Sequence, residues 1–350
     1  MLNKLLGRFS KDLGIDLGTS NIRFFSSEKG IVINEPSVVS INIRTDQIVA
    51  VGTDAKAMVG KTPPHITTIR PLIKGVISDF EVTEKMIKYF IDKIHSEAFT
   101  IIPRPRVVVG VPLEITEVER KAVEDAVLSA GAREVFLIET PMLSAIGSRM
   151  NIMDSVGMMI VDIGGGTTEI AVMSLGGVVT WKSLPIAGDE MTRNIIQYAR
   201  EMFNLLLGSR VAENVKIKIG SAIEQTEPLE IHMRGRDLIS GLPKEIMVTD
   251  KQIRESMRKS IAIIVDNVKA TLESTPPELV ADIYERGIVM TGGGSLLRGF
   301  DTLISHEAEI PVRVADDPMC AAVRGSGLLL EDIDLLKDIA LPSASQDSII

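Results

Sequence analysis

One cysteine, Cys320, stands in the 350 residues of this chain. A lone cysteine excludes an intrachain disulfide and a cysteine-built metal site, and it fits a reducing cytoplasm. The four histidines are scattered, with no His-Glu-x-x-His or other zinc spacing. Aromatic residues are scarce at 4%, and 38 Lys and Arg face 47 Asp and Glu, a formal charge of −9. Without a basic stripe or an aromatic ladder, no nucleic-acid partner is expected. No run reaches the roughly 18 apolar residues of a transmembrane helix. Glycine-rich loops are present, but none is followed by Gly-Lys-Ser/Thr and none is a full Gly-x-Gly-x-x-Gly. The motor-type P-loop and Rossmann readings therefore lack support.

The length allows two domains, and 45% hydrophobic with 24% charged residues is a normal globular balance. The stretch around which the chain is organised is Met158-Met159-Ile160-Val161-Asp162-Ile163-Gly164-Gly165-Gly166-Thr167-Thr168-Glu169. It reads as a strand ending in an aspartate, a glycine hairpin and a second strand. Glycines let backbone N–H groups approach an anion, and a strand-end carboxylate can hold a metal directly or through water. By itself the stretch reads equally as a tight hairpin with a capping aspartate. Its pattern recurs, however, at Leu13-Gly14-Ile15-Asp16-Leu17-Gly18-Thr19-Ser20-Asn21. The spacing exceeds solenoid periods and suggests two similar halves, each offering a phosphate hairpin to a shared cleft. A third loop, Thr291-Gly292-Gly293-Gly294-Ser295-Leu296, follows another apolar run.

Strands and helices alternate in both halves, so the fold class is α/β. Thr116-x-x-Glu119 and Thr249-x-x-Gln252 are capping boxes that open helices. Thr140-Pro141 reads as an N-cap and first helical residue, and a helix starting after Gly188-Asp189 is expected to end near Gly208. Residues 1–12 carry Leu2, Leu5, Leu6 and Phe9 at helical spacing, with Lys4, Arg8 and Lys11 between them. This is either an interfacial amphipathic helix or a terminus that packs on its own domain; it is too short, and lacks a cleavage site, for a secretory signal. Phe99, Ile101 and Ile102 sit in a proline-bounded loop and are either buried or a second membrane contact. Residues 336–350 are expected to form a disordered tail.

Several further motifs stand in the same order: Val-Glu-Arg-Lys-Ala (118–122), Ala-Gly-Asp-Glu (187–190), Arg-Gly-Arg-Asp-Leu (234–238), Thr-Pro-Pro-Glu-Leu (275–279) and Thr-Gly-Gly-Gly-Ser-Leu-Leu-Arg (291–298). Together with the two hairpins, from about Leu13 to Leu330, the chain resembles the MreB family of bacterial actin homologues, within the actin / sugar kinase / Hsp70 superfamily. The resemblance implies an actin-like, ribonuclease H-like fold of two domains and four subdomains with a nucleotide cleft. Domain I would span 13–150 (outer part about 33–75), completed by 315–335, and domain II 151–314 (outer part about 183–248). It implies ATP and Mg²⁺ as cofactors. Asp16, Gly18, Thr19, Ser20 and Asn21 would form the first phosphate loop, and Asp162, Gly164, Gly165, Gly166 and Thr167 the second, with Asp16 and Asp162 near the metal. Glu213, Asn214, Val215 and Lys216, which alone would read as a solvated helix face, would reach ribose and base. Gly293, Gly294, Ser295 and Leu296 would pack on the base.

The implied function is an ATP-dependent filament, self-assembling as antiparallel protofilament pairs on the inner face of the cytoplasmic membrane. It would organise cell-wall synthesis and rod shape, with RodZ and MreC/MreD-type elongation proteins as partners. Both apolar segments match places where members touch lipid. One position departs from the pattern. Members carry Ile-Glu-Glu-Pro where this chain has Ile138-Glu139-Thr140-Pro141, and the second glutamate is thought to handle the attacking water. A hydroxyl cannot accept that proton near neutral pH. Thr140, Thr167 and Glu169 are the candidate hydrolytic residues, and slow hydrolysis is expected. The competing expectations are a specialised paralogue acting as a non-hydrolysing scaffold and a monomeric phosphotransferase of the sugar kinase branch. The second lacks a matching sugar-site motif.

Overall fold

Alternating apolar residues in the first hairpin build one face of a sheet. The computed structural model describes residues 12–96 and 104–343. The candidate lipid contacts Leu2, Leu5, Leu6, Phe9, Phe99, Ile101 and Ile102 lie outside these. The chain divides into two compact units, residues up to Asp154 with those from Cys320, and Ser155–Met319.

In the first unit, β1 (Leu13–Leu17) turns into β2 (Asn21–Ser26) and β3 (Gly30–Pro36). Three short strands follow, β4 (Val39–Asn42), β5 (Gln47–Val51) and, after helix α1 (Thr53–Met58), β6 (Ile66–Ile69). They form a small sheet with β4 in the middle. A two-stranded ribbon, β7 (Leu72–Ile73) and β8 (Val76–Ile77), leads to α2 (Phe80–Ser96). Then come β9 (Arg106–Val111), α3 (Glu117–Ser129), β10 (Glu134–Glu139) and α4 (Thr140–Gly147). The main sheet runs β10-β9-β1-β2-β3, with β1 parallel to β9 and antiparallel to β2. Leu13, Ile15, Phe24, Val107, Val109 and Phe90 close its core. Asp16 and Gly14 alternate onto the opposite face, because side chains alternate along a strand.

The second unit repeats this order. Its strands β11 (Met158–Ile163), β12 (Thr168–Ser174) and β13 (Gly177–Leu184) precede α5 (Gly188–Phe203), the two-residue β14 (Leu205–Leu206) and α6 (Ser209–Ile219). A hairpin of β15 (Glu230–Asp237) and β16 (Pro243–Thr249) leads into α7 (Asp250–Glu273), α8 (Pro277–Arg286), β17 (Ile288–Thr291), α9 (Phe300–Ala308) and β18 (Val312–Val314). The sheet order β13-β12-β11-β17-β18 is that of the first unit, strand for strand. Two parallel strands extend a three-stranded antiparallel meander in each. The chain then returns to the first unit as α10 (Ala321–Glu331) and α11 (Ile333–Ile339).

Both capping boxes form: Thr116 accepts from the Glu119 N–H and Thr249 from the Gln252 N–H, each reciprocated by the Glu or Gln side chain. Three local expectations need correction. Thr140 is not the N-cap of α4; Glu139 is, with no side-chain capping bond. The helix after Gly188 stops at Phe203, because Asn204 takes the left-handed conformation at φ 50°, which an asparagine tolerates better than most residues. The expected tail is ordered over its first part. Helix α11 runs to Ile339, the Leu341 N–H bonds to the Leu137 carbonyl at 2.9 Å, and Ser343 Oγ donates to Glu124 Oε1 at 2.6 Å.

Candidate functional site

The first glycine loop leaves β1 at Asp16. Antiparallel register sets Asp16 opposite Arg23, so the two side chains share a face, and Arg23 Nη1 donates to Asp16 Oδ2 at 2.8 Å. Burial raises the Asp16 pKa, and the adjacent guanidinium pulls it back in part. Two carbonyls of the loop are taken: Gly18 O accepts from Ser37 Oγ at 2.6 Å and Ser20 O from the Ser37 N–H at 3.1 Å. Thr19 Oγ1 accepts from the Gly75 N–H at 2.9 Å, which leaves its own proton to donate. Asn21 Nδ2 donates to Asn34 Oδ1. The N–H groups of Thr19 and Ser20, by contrast, meet no acceptor among the described residues.

The second loop has the same polarity. Gly164 N–H closes the turn on Thr167 O at 2.9 Å. The first N–H groups of α5, from Gly188 and Asp189, bond to the carbonyls of Gly164 and Gly165 at 3.2 and 2.8 Å. With the carbonyls turned to the helix, the N–H groups of Gly165 and Gly166 take no acceptor among the described residues. A backbone whose acceptors are spent and whose donors are not is an anion-binding concavity. Thr168 Oγ1 donates to Ile186 O, fixing the end of the turn.

Beside this loop lies a row of polar residues on one sheet face. Asp162 stands opposite Glu169 on β12 and opposite Thr291 on β17. Thr291 Oγ1 donates to Asp162 Oδ2 at 2.8 Å. Asp162 is 9% exposed and Glu169 3%. Two acidic side chains side by side on one sheet face offer oxygen donors to a hard cation. The third loop packs on the same corner. Gly292 has φ +78°, and a Cβ there would meet the Ile163 carbonyl at 2.3 Å and Asp162 Oδ1 at 2.8 Å. A Cβ on Gly294 would meet Ile163 Cγ2 at 2.3 Å. Gly293, the residue between, has only the Met319 side chain within 4 Å of its would-be Cβ. The glycine is thus demanded by packing at two positions and leaves open space at the third. Ser295 Oγ is turned inward onto Gly292 O, and Leu296 is exposed.

A family model described as MreB/Mbl protein matches residues 10–338. The chain belongs to the MreB/Mbl family. It is 49% identical over 341 residues to the cell shape-determining protein MreB of Escherichia coli strain K12, covering 96% of this chain and 97% of that one. It is 46% identical over 328 residues to the cell shape-determining protein Mbl of Bacillus subtilis strain 168, covering 94% and 98%. Among solved structures, MreB5 of Spiroplasma citri bound to ADP superimposes with a TM-score of 0.89 at 34% identity, over 94% of this chain and 98% of that one. The MamK double helical filament, at 23% identity and a TM-score of 0.77 over 91% and 98%, shares the fold. The fold is accordingly the actin-like α/β fold.

Within this MreB/Mbl chain, the residues expected at ribose and base divide. Lys216 Nζ donates to Gly188 O at 2.7 Å and to Thr192 Oγ1 at 2.9 Å. It braces the start of α5, the helix end that holds the second loop. Val215 is buried in the apolar core, so its side chain is packing rather than lining. Glu213 is half-buried and Asn214 exposed. Thr140 Oγ1 donates to Val111 O at 3.1 Å and lies 3.2 Å from where a Cβ on Gly110 would stand. Gly110 is the β9 neighbour of Asp16, so the Thr140 hydroxyl sits on the Asp16 face across a residue without a side chain. Glu139 pairs with Val111, on the opposite face, and burial raises its pKa.

Sequence reasoning missed Arg23, Ser37 and Thr291. Arg23 is foreseeable in hindsight, since a short turn after Leu17 fixes which β2 residue faces Asp16. Ser37 and Thr291 carry no local signal, because their partners are 19 and 129 residues away in sequence.

Proposed function

We propose that this MreB/Mbl chain binds ATP with Mg²⁺ and assembles into filaments on the inner face of the cytoplasmic membrane, where it organises cell-wall synthesis with RodZ- and MreC/MreD-type partners. The observation that carries nucleotide binding is the polarity of the two duplicated loops. The carbonyls of Gly18, Ser20, Gly164 and Gly165 accept bonds inside the protein, whereas the N–H groups of Thr19, Ser20, Gly165 and Gly166 meet no acceptor among the described residues. The Spiroplasma citri relatives bound to ADP and to AMPPNP support the same reading.

Asp16 holds a guanidinium at 2.8 Å, and Asp162 stands beside Glu169 on one sheet face, two side chains with the oxygen donors that Mg²⁺ takes. We therefore assign the metal to Asp162, with Glu169 beside it and Asp16 as a phosphate-loop residue neutralised by Arg23. Bound there, Mg²⁺ would supply charge neutralisation at the phosphate oxygens. The chain itself supplies the N–H donors, the Thr19 hydroxyl proton and, through Lys216, a fixed start to α5. Hydrolysis is slow in this reading, since Thr140 offers a hydroxyl already bonded to Val111 where a base is wanted. A filament scaffold with very little turnover is the limiting case of that same observation.

Membrane attachment rests on where two apolar segments join the sheet. β1 begins at Leu13 and β9 at Arg106, and these strands are parallel neighbours with Leu13 beside Val107. Residues 1–11 and 97–103 therefore join the first unit at the same end of its sheet. Two modest apolar segments joined at one end of the sheet would supply two membrane signals per protomer.

Ultracentrifugation tests the core of the proposal. With ATP and Mg²⁺ the chain should pellet, and Asp162→Ala should neither pellet nor bind Mg-ATP by calorimetry. A wild type that stays in the supernatant would remove the filament, and unchanged Mg-ATP affinity in Asp162→Ala would remove the site.

A further inference from the structure

The turn between β7 and β8 holds a lysine in a backbone conformation that lysine disfavours. Ile73 pairs with Val76, so Lys74 and Gly75 are the whole turn, and both have positive φ, 52° and 79°. Two-residue hairpin turns of this kind favour Asn-Gly or Asp-Gly, because the left-handed region strains any side chain that is not short and polar. Gly75 meets that demand and Lys74 does not. A residue held in a sparsely populated backbone region against local preference points to a role outside folding.

The turn is fixed in place. Leu72 is buried in the core of the first unit, and the Ser78 N–H closes the base of the ribbon on the Pro71 carbonyl at 2.9 Å. At the tip, the Gly75 N–H donates to Thr19 Oγ1 at 2.9 Å, across 56 residues of sequence. Two covalent bonds separate the Gly75 nitrogen from the Lys74 Cα, which therefore stands within roughly 5 Å of the Thr19 hydroxyl. A four-carbon stem covers that distance, and its ammonium is a compact charge that can swing onto an acceptor there.

The charges around the tip leave this ammonium available. Arg23 is bonded to Asp16. Lys74 is exposed and has no partner among the described residues. Of the acids that follow the ribbon, Asp79 accepts from the Val82 N–H at 3.0 Å and Glu81 pairs with Lys85 at 2.9 Å. Helix α3 packs against β8; there Glu119 caps the helix, Asp125 pairs with Lys121 at 3.6 Å and Glu124 accepts from Ser343. Glu114 and Glu117, before and at its start, are exposed and form no ion pair with Lys74. In the loop itself, the N–H groups of Thr19 and Ser20 offer partial charges only, whereas a polyphosphate carries several full ones.

We propose that Lys74 is a phosphate-contacting residue of the first loop, supplying bound nucleotide with a full positive charge that the backbone donors lack. This rests on the nucleotide reading above and adds a residue to it. Lysine binds phosphate as a point charge, without the fixed fork of an arginine, so a side chain on a two-residue turn suffices. The turn gives up local stability and the site gains the charge.

Thermal unfolding and calorimetric titration with Mg-ATP, on the same full-length variants, test this. Lys74→Asn removes the charge and installs the residue that the turn favours. It should raise the unfolding midpoint without nucleotide, yet weaken Mg-ATP by about tenfold or more, the scale of a lost charge-assisted hydrogen bond. A merely structural lysine would not move the two readings in opposite directions. Lys74→Arg keeps both the charge and the backbone strain, and should stay within about threefold of wild type. Lys88→Gln, which removes an exposed charge on α2, should leave both readings unchanged. Equal Mg-ATP affinity in wild type and Lys74→Asn would overturn the contact. A midpoint that falls together with the affinity would make Lys74 a folding residue, and a loss in Lys74→Arg as large as in Lys74→Asn would overturn the role of charge. Those results leave the nucleotide reading standing, whereas a wild type that binds no Mg-ATP would remove that reading and this residue with it.

Discussion

Thr140 stands where the resemblance leads one to expect a glutamate that handles the attacking water, and its surroundings bear on what it can do. The hydroxyl donates to the Val111 carbonyl, so its proton is engaged and only its lone pairs remain to orient a water. It cannot take a proton as a carboxylate does. Glu139 does not compensate: it lies on the face of Val111, away from Asp16. Gly110, beside Thr140, carries no side chain, and a Cβ there would stand 3.2 Å from both the Thr140 hydroxyl and Leu143 Cδ1. We expect Thr140→Glu to release phosphate from ATP about tenfold faster or more, since a general base is worth on the order of 10²–10⁴ in rate, with ATP affinity nearly unchanged. A phosphate-release assay on assembled protein decides it. Equal rates in wild type and variant would show that Thr140 is not limiting. Asp16, Asp162 and the glycines were legible as residues, because strand-end aspartate followed by glycine has a chemical logic. That Asp16 pairs with Arg23 while Asp162 stands beside Glu169 was illegible, since it depends on which residue each hairpin register sets opposite.

At the scale of elements, the readable features were those whose partners lie within one turn. The box at Thr249 and Gln252 was visible as a spacing and forms as drawn, with Thr249 N–H to Gln252 Oε1 at 2.9 Å. It starts α7, whose Ile253, Met257, Ile261, Ile264 and Val268 enter the second core. Replacing Thr249 by Ala should therefore cost about 1 kcal/mol, read as a lower urea midpoint with an unchanged slope. A midpoint within error of wild type would mean that burial of the apolar stripe alone sets where α7 begins. The elements misread were those ended by a conformation rather than by a pattern. Asn204 stops α5 through a left-handed backbone that many residues could decline to adopt. The tail was read from composition, yet in its described part, as far as Ser343, it is held by long-range bonds to Leu137 and Glu124, which composition does not encode.

At the scale of the whole molecule, the duplication was legible only at its two hairpins; the shared order of five strands in each unit has no counterpart in repeated sequence. Function at this scale comes from number. In the proposed reading, the two apolar segments of one protomer would make a membrane anchor of modest strength. Protomers joined in a filament present their anchors together, and the second and later contacts become intramolecular, with avidity gains on the order of 10²–10⁴. Vesicle binding should then rise steeply at the concentration where filaments form. Asp162→Ala provides the test, because it leaves residues 1–11 and 97–103 unchanged while removing the nucleotide-driven assembly. Under conditions where wild type is assembled, this variant should bind phosphatidylglycerol vesicles at least about a hundredfold more weakly, and a covalently crosslinked oligomer of the variant should recover most of the difference. If the unassembled variant binds vesicles as tightly as wild-type filaments do, each protomer is a sufficient anchor by itself, and assembly contributes arrangement on the membrane rather than attachment to it.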